Sequence, residues 1–378
     1  MERTDLIRLV RATGCAEERG GFVFLCDPRW GDSERAQVRT LQDLAAAEGA
    51  DDAAGWLCIP TGGTSGKIRF ARHDETTVGA AAEGFARHFG FHQVNAVDVL
   101  PPFHVSGLMA RVRCAVTGGV HVPWEWRRLE AGERPRVTGN DQMISLVPTQ
   151  LQRLMGSAEA IAWLRGFDVI FLGGAPMWPS LREAAVRARL PVSLSYGMTE
   201  TAAMVTASKP AAFLAGDRSA GTPLPHASVS VDADGLIRLQ GRSVFRGYFP
   251  DFASGDEFVS ADLGEVDGEG RLWVLGRPDD VIITGGEKVN PLEVEAALRA
   301  TGQFMDVAVV GVPHPEWGTE VVACYPPGET APDIDAVIAA VRETLSAYKR
   351  PKRYVAIADW PRNAQGKLSR ARLAGRLV

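Results

Sequence analysis

A loop of small residues with one lysine is the clearest candidate for chemistry in this sequence. It reads Thr61-Gly62-Gly63-Thr64-Ser65-Gly66-Lys67 and follows an apolar stretch, Trp56 to Ile59, that predicts a buried strand. Glycines allow tight turns and leave no Cβ in the way, so backbone N–H groups can face a polyphosphate. The hydroxyl groups and Lys67 add donors and one positive charge. A flexible surface loop is the alternative, and the loop alone does not decide between the two.

The loop differs from the Walker A sequence, which has a glycine five positions before Gly-Lys and a Ser or Thr after the lysine. Here Thr61 stands at the first of these positions and Ile68 at the second. The loop therefore favours a nucleotide phosphate as ligand without indicating the enzyme class. The same two differences disfavour an NTPase of the P-loop type.

Length and composition indicate a globular protein of roughly two or three domains, at ~100–200 residues each. The 378 residues are 46% hydrophobic and 23% charged, with a net charge of −5. Such a charge gives no strong field that would attract nucleic acid or an anionic membrane. We find no apolar run that could span a bilayer and no apolar segment of a signal peptide. We therefore expect a cytoplasmic protein with neither nucleic acid nor membrane as partner.

Five cysteines are scattered along the chain, and none of them has the Cys-x-x-Cys spacing. They are Cys15, Cys26, Cys58, Cys114 and Cys324. An odd number without paired spacing argues against a disulfide framework and against a structural zinc site. We expect most of them to be buried apolar side chains.

Strands and helices alternate from the loop to about residue 200. Asp74 predicts the N-cap of a helix with one apolar face. Short apolar runs predict strands at 97–100, 120–122, 143–147, 169–172 and 192–194. The alternation predicts an α/β fold with a doubly wound, mostly parallel sheet, whose ligands bind beyond the carboxyl ends of the strands. Four candidate site loops each follow a predicted strand, and we expect them at one edge of one sheet: the phosphate loop, His104, Gly173-Gly174 and Tyr196-Gly197.

The pattern changes from about residue 221 onward. Alternating residues around Asp234-Gly235 predict a hairpin, and a second pair of strands flanks 267–270, which indicates a β subdomain. A boundary near 276–280 predicts a large N-terminal domain, 1–278, and a small α+β domain, 279–378. In the small domain Asn290 predicts a helix N-cap, followed by Pro291 and a capping-box Glu293.

Six short motifs resemble, in order and spacing, the core motifs of the acyl-adenylating superfamily, which includes acyl-CoA synthetases, peptide-synthetase adenylation domains and luciferases. They lie at 61–67, 196–201, 262–264, 276–277, 285–291 and 366–367. The resemblance covers roughly residues 55–375. It implies that a carboxylate attacks the α-phosphate of ATP and that the acyl-adenylate then reacts with coenzyme A. It also implies a mobile small domain that rotates about Asp279 between the half-reactions.

The resemblance assigns the charged groups of the reaction. Residues 61–67 would hold the β- and γ-phosphates, Thr199 would contact the α-phosphate, and Glu200 would bind Mg²⁺, a cation that prefers carboxylate oxygen. Donors and cations aimed at the growing negative charge would supply most of the rate. An acid that complements a helix dipole is the alternative for Glu200.

The resemblance also assigns the remaining contacts with ATP or AMP. They are Gly173, Gly174, Ala175, Pro176, Ser195, Tyr196, Gly197, Met198, Asp262 and Arg277. Tyr196 would stack on the adenine, and Asp262 would accept hydrogen bonds from the ribose hydroxyl groups with help from Arg277. A turn residue is the alternative for Asp262.

The small domain carries further implied residues. Lys367 matches the lysine that bridges the carboxylate and the α-phosphate during adenylation, although a lysine in a charged C-terminal loop is usually solvated. Asp279 matches the hinge. After the rotation the Gly285-Gly286 loop would help to admit the pantetheine thiol of coenzyme A.

Four further stretches resemble one branch of the superfamily, the o-succinylbenzoate–CoA ligases of menaquinone biosynthesis: 100–107, 145–154, 171–175 and 221–225. Such a substrate has an aromatic ring and two carboxylates, so its pocket needs apolar walls and a cation or hydroxyl groups. Candidate residues are His104, Ser106, Gly107, Gln150 and Arg153, with Arg111 and Arg113 as further cations. His104 would also gate the passage to the thiol channel and act in catalysis. Surface arginines and a structural histidine are the alternatives.

The sequence departs from the family pattern in two places. Sixty residues precede Thr61, fewer than in typical members, and the loop reads Thr-Gly-Gly-Thr-Ser-Gly where many members have Ser-Gly-Thr-Thr-Gly. The first departure bears on coenzyme A binding and on oligomeric contacts, so the oligomeric state stays open, with a homodimer as the candidate.

Two alternatives for the function also stay open. One is an adenylating ligase for another aryl or acyl acid, and the other is a non-catalytic nucleotide-binding relative, which Lys367 and Glu200 disfavour.

Overall fold

The computed structural model describes residues 1–48, 55–62, 67–136, 138–328, 330–361 and 368–377. The chain forms two compact units. The first comprises Met1–Ala175 and Ala185–Leu275, and the second comprises Pro176–Ala184 and Gly276–Val378. A domain boundary at residue 279, a hinge there and mobility of the small domain stay predictions.

The first unit begins with a mixed sheet of four strands in the order β1-β2-β3-β4. Its elements are α1 (Arg3–Arg11), β1 (Ala16–Arg19), β2 (Phe22–Leu25), α2 (Asp32–Glu48), β3 (Leu57–Gly62) and β4 (Ile68–His73). β3 confirms the buried strand, since Leu57, Cys58 and Ile59 are fully buried. β3 and β4 pair antiparallel up to Gly62 and Ile68. The phosphate loop therefore connects the two strands of a hairpin.

The second sheet has seven strands in the order β11-β10-β9-β8-β7-β5-β6. Its strands are β5 (Asn95–Asp98), β6 (His121–Pro123), β7 (Gln142–Leu146), β8 (Val169–Leu172), β9 (Val192–Met198), β10 (Ala203–Ala207) and β11 (Thr222–Pro223). The strands from β9 to β6 are parallel, and β10 and β11 add an antiparallel edge. The α/β, mostly parallel sheet is therefore confirmed.

Helices connect these strands, as the alternation predicts. They are α3 (Glu75–Phe89), α4 (Val105–Thr117), α5 (Trp126–Glu130), α6 (Pro148–Leu154), α7 (Ala158–Leu164), α8 (Pro179–Arg187) and α9 (Pro210–Leu214). The predicted cap of α3 is confirmed, because Asp74 Oδ1 accepts a hydrogen bond of 2.9 Å from the backbone N–H of Thr77. The apolar face of α3, which includes Val78 and Phe85, is buried.

The prediction that four site loops share one sheet edge is wrong for the phosphate loop. That loop leaves β3, which belongs to the four-stranded sheet, whereas His104 and Gly173-Gly174 follow β5 and β8 of the seven-stranded sheet. The apolar run that predicts a strand does not encode which sheet the strand joins. Tyr196 and Gly197 also lie within β9 rather than after it. β9 is longer than predicted because the antiparallel β10 pairs with its last residues, Met198 opposite Ala203.

The first unit ends in an antiparallel sheet in the order β12-β13-β14-β15. Its strands are β12 (Ala227–Val231), β13 (Leu236–Gly241), β14 (Glu257–Val266) and β15 (Leu272–Gly276). The structure has a hairpin at Asp234-Gly235 and a second one at 267–270, as the sequence predicts.

The second unit has a three-stranded sheet, β18-β19-β20, and a two-stranded one, β16-β17. Its elements are β16 (Ile282–Thr284), β17 (Glu287–Val289), α10 (Pro291–Ala300), β18 (Ala308–His314), β19 (Gly318–Tyr325), α11 (Ile334–Thr344), β20 (Arg353–Ala356) and α12 (Arg370–Ala374). Asn290 caps α10 as predicted, accepting from the N–H of Leu292 at 2.9 Å. Glu293 instead accepts two hydrogen bonds from Lys349 Nζ, at 2.6 and 2.8 Å.

Two expectations from composition can be compared with the structure. All five cysteines are free thiols, and four of them are buried while Cys15 is half-buried. None of the helices in the described part of the chain has the length and hydropathy that crossing a bilayer requires. The cytoplasmic location and the homodimer stay predictions.

Candidate active site

Glu200 lies at the centre of a cluster that joins three parts of the first unit. It is 6% exposed and sits in a 3₁₀ turn, Thr199–Thr201, between β9 and β10. Its Oε1 accepts hydrogen bonds from the hydroxyl groups of Tyr248, at 2.6 Å, and Thr61, at 3.3 Å. Thr61 is near the end of β3, where the phosphate loop begins. The fold thus brings two residues of the predicted site together across 139 positions of sequence.

Tyr248 is a member of this cluster that the sequence did not indicate. Burial and the neighbouring Glu200 carboxylate raise the pKa of Tyr248, so its hydroxyl group stays protonated and donates. The guanidinium of Arg69 lies 4.3 Å from its ring centroid. The backbone of the same segment is also held, because the N–H of Phe245 donates to the Glu200 carbonyl at 2.9 Å. No spacing or motif in the sequence connects this segment with Glu200.

Two of the predicted nucleotide-binding residues contact each other. The hydroxyl of Tyr196, on β9, donates to Asp262 Oδ2 at 2.8 Å. Asp262 lies inside β14, so the alternative that it is a turn residue is wrong. Burial and the Asp262 carboxylate raise the pKa of Tyr196, which keeps its hydroxyl protonated.

The loop after β8 and the end of β9 lie side by side. Ser195 Oγ donates to the carbonyl of Leu172, at 3.3 Å, immediately before Gly173, Gly174 and Ala175. Residue 197 must be a glycine for a steric reason: a Cβ there would lie 2.0 Å from the carbonyl oxygen of Ala203 on β10. The predicted residues Ser195, Tyr196, Gly197 and Met198 therefore form one continuous strand segment that leads into Thr199 and Glu200.

His104 is the N-cap of α4 and lies beyond the carboxyl end of β5. It is buried, and its ring contacts that of Phe103 with 4.5 Å between centroids. Ser106 is half-buried. Gly107 packs so closely that a Cβ would lie 2.4 Å from the carbonyl oxygen of Pro101. The loop before His104 and the first turn of α4 are therefore tightly packed.

A buried Asp98–His121 pair supports this loop, and the sequence did not indicate it. Asp98 Oδ2 lies 3.0 Å from His121 Nε2, and Oδ1 accepts from the N–H of Leu100 at 3.1 Å. Burial raises the pKa of Asp98, although His121 acts in the opposite direction. The pair anchors the carboxyl end of β5, six residues before His104.

The other residues that the sequence predicts to bind the carboxylic acid substrate lie in different surroundings. Gln150 Oε1 accepts a hydrogen bond of 3.0 Å from the backbone N–H of Val147, the N-cap residue of α6. Arg153 forms an exposed ion pair of 2.8 Å with Glu130. Arg113 is 2% exposed and stacks on Phe85, 4.1 Å from the ring centroid. It stands about 12 Å along α4 from Val105, so the structure does not bring Arg113 to the start of this helix. Arg111, also on α4, is half-buried.

The predicted site residues of the second unit occupy its first elements. Arg277 precedes a 3₁₀ turn, Pro278–Asp280, and Gly285-Gly286 form the turn between β16 and β17. The N–H of Gly285 donates to the carbonyl of Trp317 at 3.0 Å. Pro176 belongs to this unit as well. Gly63, Thr64, Ser65, Gly66, Lys367 and the side chain of Asp279 lie outside the described residues, whereas Gly62 and an exposed Lys67 flank the loop.

The surroundings of Glu200 fit a magnesium ion that arrives with a nucleotide. Mg²⁺ is usually held by one or two carboxylates together with substrate phosphates and water. Glu200 is a buried carboxylate beside the start of the phosphate loop, and its Oε1 accepts from two neutral hydroxyl groups. In the part of the chain that the structure describes, no group of three or more His, Cys, Asp and Glu forms a metal site. The Glu200 carboxylate itself fits an ion that is shared with the phosphates of a nucleotide.

Comparison with known proteins defines the class. The AMP-binding enzyme family matches residues 20–249, which is more than half of the chain, and the AMP-binding enzyme C-terminal domain matches 293–367. The chain therefore belongs to the AMP-binding enzyme family.

Curated relatives include several 2-succinylbenzoate–CoA ligases. That of Bacillus licheniformis is 32% identical over 85% of this chain, and that of Geobacillus kaustophilus 33% identical over 78%. The chain spans 70% and 63% of the length of these two relatives. An indoleacetate–CoA ligase of Aromatoleum aromaticum is 31% identical over 82% of this chain and 65% of its own length.

Solved structures agree with this family. One is the o-succinylbenzoate CoA synthetase of Bacillus subtilis in complex with the acyl-adenylate intermediate, with a TM-score of 0.74 and 27% identity over 92% of this chain and 77% of that one. The same enzyme in complex with ATP and magnesium ion gives a TM-score of 0.70 and 28% identity over 88% of this chain and 74% of that one. The likeness confirms the predicted α/β fold with a large N-terminal and a small C-terminal part.

Proposed function

We propose that the chain is an AMP-forming acid–CoA ligase that converts 2-succinylbenzoate to its coenzyme A thioester through an acyl-adenylate. The observation that carries the proposal is the buried Glu200 carboxylate, held by Tyr248 and by Thr61 at the start of the phosphate loop. A carboxylate beside such a loop suits a triphosphate that arrives with a divalent cation. The names of the relatives supply the substrate, and the resemblance of the sequence motifs supplies the place of the reaction in menaquinone biosynthesis.

The first unit binds the nucleotide in this proposal. Residues 61–67 donate to the β- and γ-phosphates while pyrophosphate leaves, and Thr199 donates to the α-phosphate. Tyr196 stacks on the adenine, and its bond to Asp262 fixes the ring. Because a carboxylate accepts several hydrogen bonds, Asp262 can accept from Tyr196 and from the ribose hydroxyl groups at the same time. Gly173, Gly174 and Ala175 line the adenine beside Ser195.

Glu200 would hold Mg²⁺, which supplies charge neutralisation at the triphosphate when it is bound. The protein contributes the position of the carboxylate. The Tyr248 and Thr61 hydroxyl groups orient it, and its burial keeps it from bulk water. Low local polarity strengthens every charged contact in such a site.

The acid binds near the start of α4 and after β7 in this proposal. His104, Ser106 and Gly107 lie at the first of these places, and Gln150 and Arg153 at the second. His104 separates the acid from the thiol channel. Arg153 would have to leave its ion pair with Glu130 to meet a carboxylate, which costs little because exposed ion pairs contribute only ~0–1 kcal/mol.

The second unit supplies the remaining groups. Lys367 bridges the carboxylate of the acid and the α-phosphate during adenylation, and Arg277 and Pro176 complete the nucleotide contacts. Rotation about Asp279 then brings Gly285-Gly286 to the thiol of coenzyme A. Residues 279–378 form the mobile domain in this scheme.

Pyrophosphate exchange into ATP with a panel of acids tests the proposal. We expect exchange with 2-succinylbenzoate that depends on Mg²⁺, and formation of its thioester and AMP when coenzyme A is added. Exchange with no acid would indicate a non-catalytic nucleotide-binding relative. Release of ADP in place of AMP would contradict the adenylation chemistry itself.

A second candidate is a ligase for another aryl acid. The 31% identity to an indoleacetate–CoA ligase favours it, because that enzyme also activates an aromatic acid. Indoleacetate and benzoate therefore belong in the panel. Exchange with one of them but not with 2-succinylbenzoate would replace the first proposal by this one.

A further inference from the structure

His73 connects the strand after the phosphate loop with the turn that carries Glu200. It is the last residue of β4 and is fully buried. Its Nε2 lies 2.7 Å from the carbonyl oxygen of Thr199, and its Nδ1 lies 3.0 Å from Thr77 Oγ1. The side chain thus occupies a fixed place between α3 and the Thr199–Thr201 turn.

The two contacts of the ring determine its tautomer. A carbonyl oxygen can only accept, so Nε2 carries the hydrogen and donates to Thr199. Burial lowers the pKa of His73 to about 4, so the ring is neutral near pH 7 and Nδ1 is an acceptor. The hydroxyl hydrogen of Thr77 lies between two acceptors, Nδ1 of His73 and the carbonyl oxygen of Asp74, each 3.0 Å from Oγ1. Both ring nitrogens thus have a polar neighbour, and the orientation of the ring is fixed.

His73 is itself held by a network on its far side. The N–H of Asp74 donates to Thr77 Oγ1 at 3.0 Å, and Asp74 Oδ1 accepts from the Thr77 N–H. Asp74 Oδ2 accepts from Arg246 Nε at 2.9 Å. The hydrogen bonds therefore extend from Arg246 through Asp74 and Thr77 to His73, and each member is buried or half-buried.

The turn that His73 contacts has a backbone that needs such support. Ala202 and Ala203, directly after it, have φ values of +50° and +89°. Residues with a Cβ rarely adopt this region, and the conformation persists only where the surroundings impose it. Two consecutive carbonyls of the turn are held from outside: that of Thr199 by His73, and that of Glu200 by the N–H of Phe245 at 2.9 Å.

We infer that His73 is a positioning residue for the magnesium site: its Nε2–H fixes the Thr199 carbonyl and thereby holds the Glu200 carboxylate in place. The inference rests on the proposed function, which assigns Mg²⁺ to Glu200. His73 contacts neither substrate nor metal and acts through the turn alone. Without the donor, the Thr199 carbonyl loses this contact, the turn relaxes together with the positive-φ residues Ala202 and Ala203 after it, and the carboxylate shifts.

The test compares His73→Met with His73→Gln. Met removes the donor at similar length, whereas the Gln amide can place an N–H near the position of Nε2. The Mg²⁺ concentration that gives half-maximal pyrophosphate exchange is measured, because it does not depend on the amount of folded enzyme. We expect a rise of roughly 5- to 10-fold for His73→Met, the loss of one hydrogen bond, and recovery to within about 3-fold for His73→Gln. The KM of the acid stays unchanged.

The controls separate this inference from a general loss of stability. His92, an exposed histidine after α3, provides the matched variant His92→Met, which should leave the Mg²⁺ dependence as it is. If His73→Met does not fold, Thr77→Val leaves the ring but removes its second contact, and a smaller rise is expected. An unchanged Mg²⁺ dependence in the folded variant would overturn the inference.

Failure of the proposed function has a different signature. If the wild-type protein catalyses no pyrophosphate exchange with any of the acids, this result contradicts the ligase assignment and not the role of His73. Calorimetric titration with ATP, with and without Mg²⁺, then replaces exchange as the readout. The gain in ATP affinity that Mg²⁺ produces should be several-fold smaller in His73→Met than in wild type, and an equal gain would overturn the inference.

Discussion

Tyr248 and Glu200 are joined by a hydrogen bond of 2.6 Å from the phenolic hydroxyl group to Oε1. The bond links a loop of the first unit to the turn between β9 and β10. Glu200 also accepts from Thr61, so one carboxylate oxygen connects three segments. The orientation of the carboxylate is therefore a property of the tertiary structure around it.

Tyr248→Phe tests the importance of this bond. The variant keeps the ring, and with it the contact with Arg69, but loses a donor to a charged acceptor, a bond worth about 1.5–3 kcal/mol. We expect the Mg²⁺ concentration for half-maximal exchange to rise by at least about tenfold. Tyr348→Phe, at a partly exposed tyrosine of the second unit, is the matched control. Equal Mg²⁺ dependence in all three proteins would argue against a metal at Glu200.

Lys367→Ala separates the two half-reactions. The lysine meets the acid and the α-phosphate only during adenylation, so we expect loss of pyrophosphate exchange by roughly 100-fold or more. Formation of the thioester from supplied acyl-adenylate and coenzyme A should stay largely intact. Both steps are followed by chromatography of AMP and thioester. Lys352→Ala serves as control, and equal loss of both steps in Lys367→Ala would contradict the assigned role.

Tyr196 provides a test of nucleotide binding. Tyr196→Leu removes the aromatic ring, and we expect the KM of ATP to rise by roughly 2- to 12-fold, which corresponds to about 0.5–1.5 kcal/mol for an aromatic contact beyond its buried area. Tyr196→Phe keeps the ring and loses only the bond to Asp262, so its KM should rise less. Steady-state exchange at varied ATP gives both values. If the KM of ATP rises equally in the two variants, the hydroxyl group of Tyr196 and not its ring is responsible for the rise.

Glu295 is expected to stabilise the second unit. It is 3% exposed, and its Oε1 accepts from Arg370 at 2.6 Å and from the N–H of Val309 at 2.9 Å. Glu295→Leu leaves the Arg370 guanidinium and a backbone N–H without this acceptor, which costs about 3–5 kcal/mol for a buried ion pair. Urea unfolding measures the loss. Asp359→Ala removes the carboxylate of an exposed pair with Arg376 and should change the free energy of unfolding by less than about 1 kcal/mol.

The buried His73 predicts a particular pH dependence of stability. Burial lowers its pKa from 6.5 to about 4 in the folded protein. The unfolded chain therefore binds the proton at a higher pH than the folded one. The contribution of His73 to the free energy of unfolding is therefore fully present above about pH 6.5. As the pH falls toward 4, about 3 kcal/mol of this contribution is lost.

Denaturation curves of wild type and His73→Gln from about pH 7.5 to about pH 4.5 measure this effect. We expect the wild type to lose more of its free energy of unfolding over this range than the variant, because the variant lacks the titrating group. His92→Gln, which alters an exposed histidine, should follow the wild type. Parallel curves for wild type and His73→Gln would show that the ring is not held neutral by burial.

Local features of the sequence predicted most of the elements. The strand Val169–Leu172 has the predicted bounds, Asp74 caps α3, and Asp234-Gly235 lies at the turn between β12 and β13. Caps, alternation and turn residues depend on neighbours within a few positions, so one sequence is enough to read them. The order of six motifs likewise indicated the family that the comparisons confirmed.

The sequence by itself thus determined the α/β class, the order of the elements and the family, and it predicted the residues of the site. Only the tertiary structure decided that β3 joins a separate sheet, that β10 extends β9 to Met198, and that Tyr248, His73 and the Asp98–His121 pair support the predicted residues. The physical reason is distance along the chain. His73 and Thr199 lie 126 positions apart, and Thr61 and Glu200 lie 139 apart. Contacts of this kind form by packing and by the pairing of buried polar groups, and no local spacing encodes them.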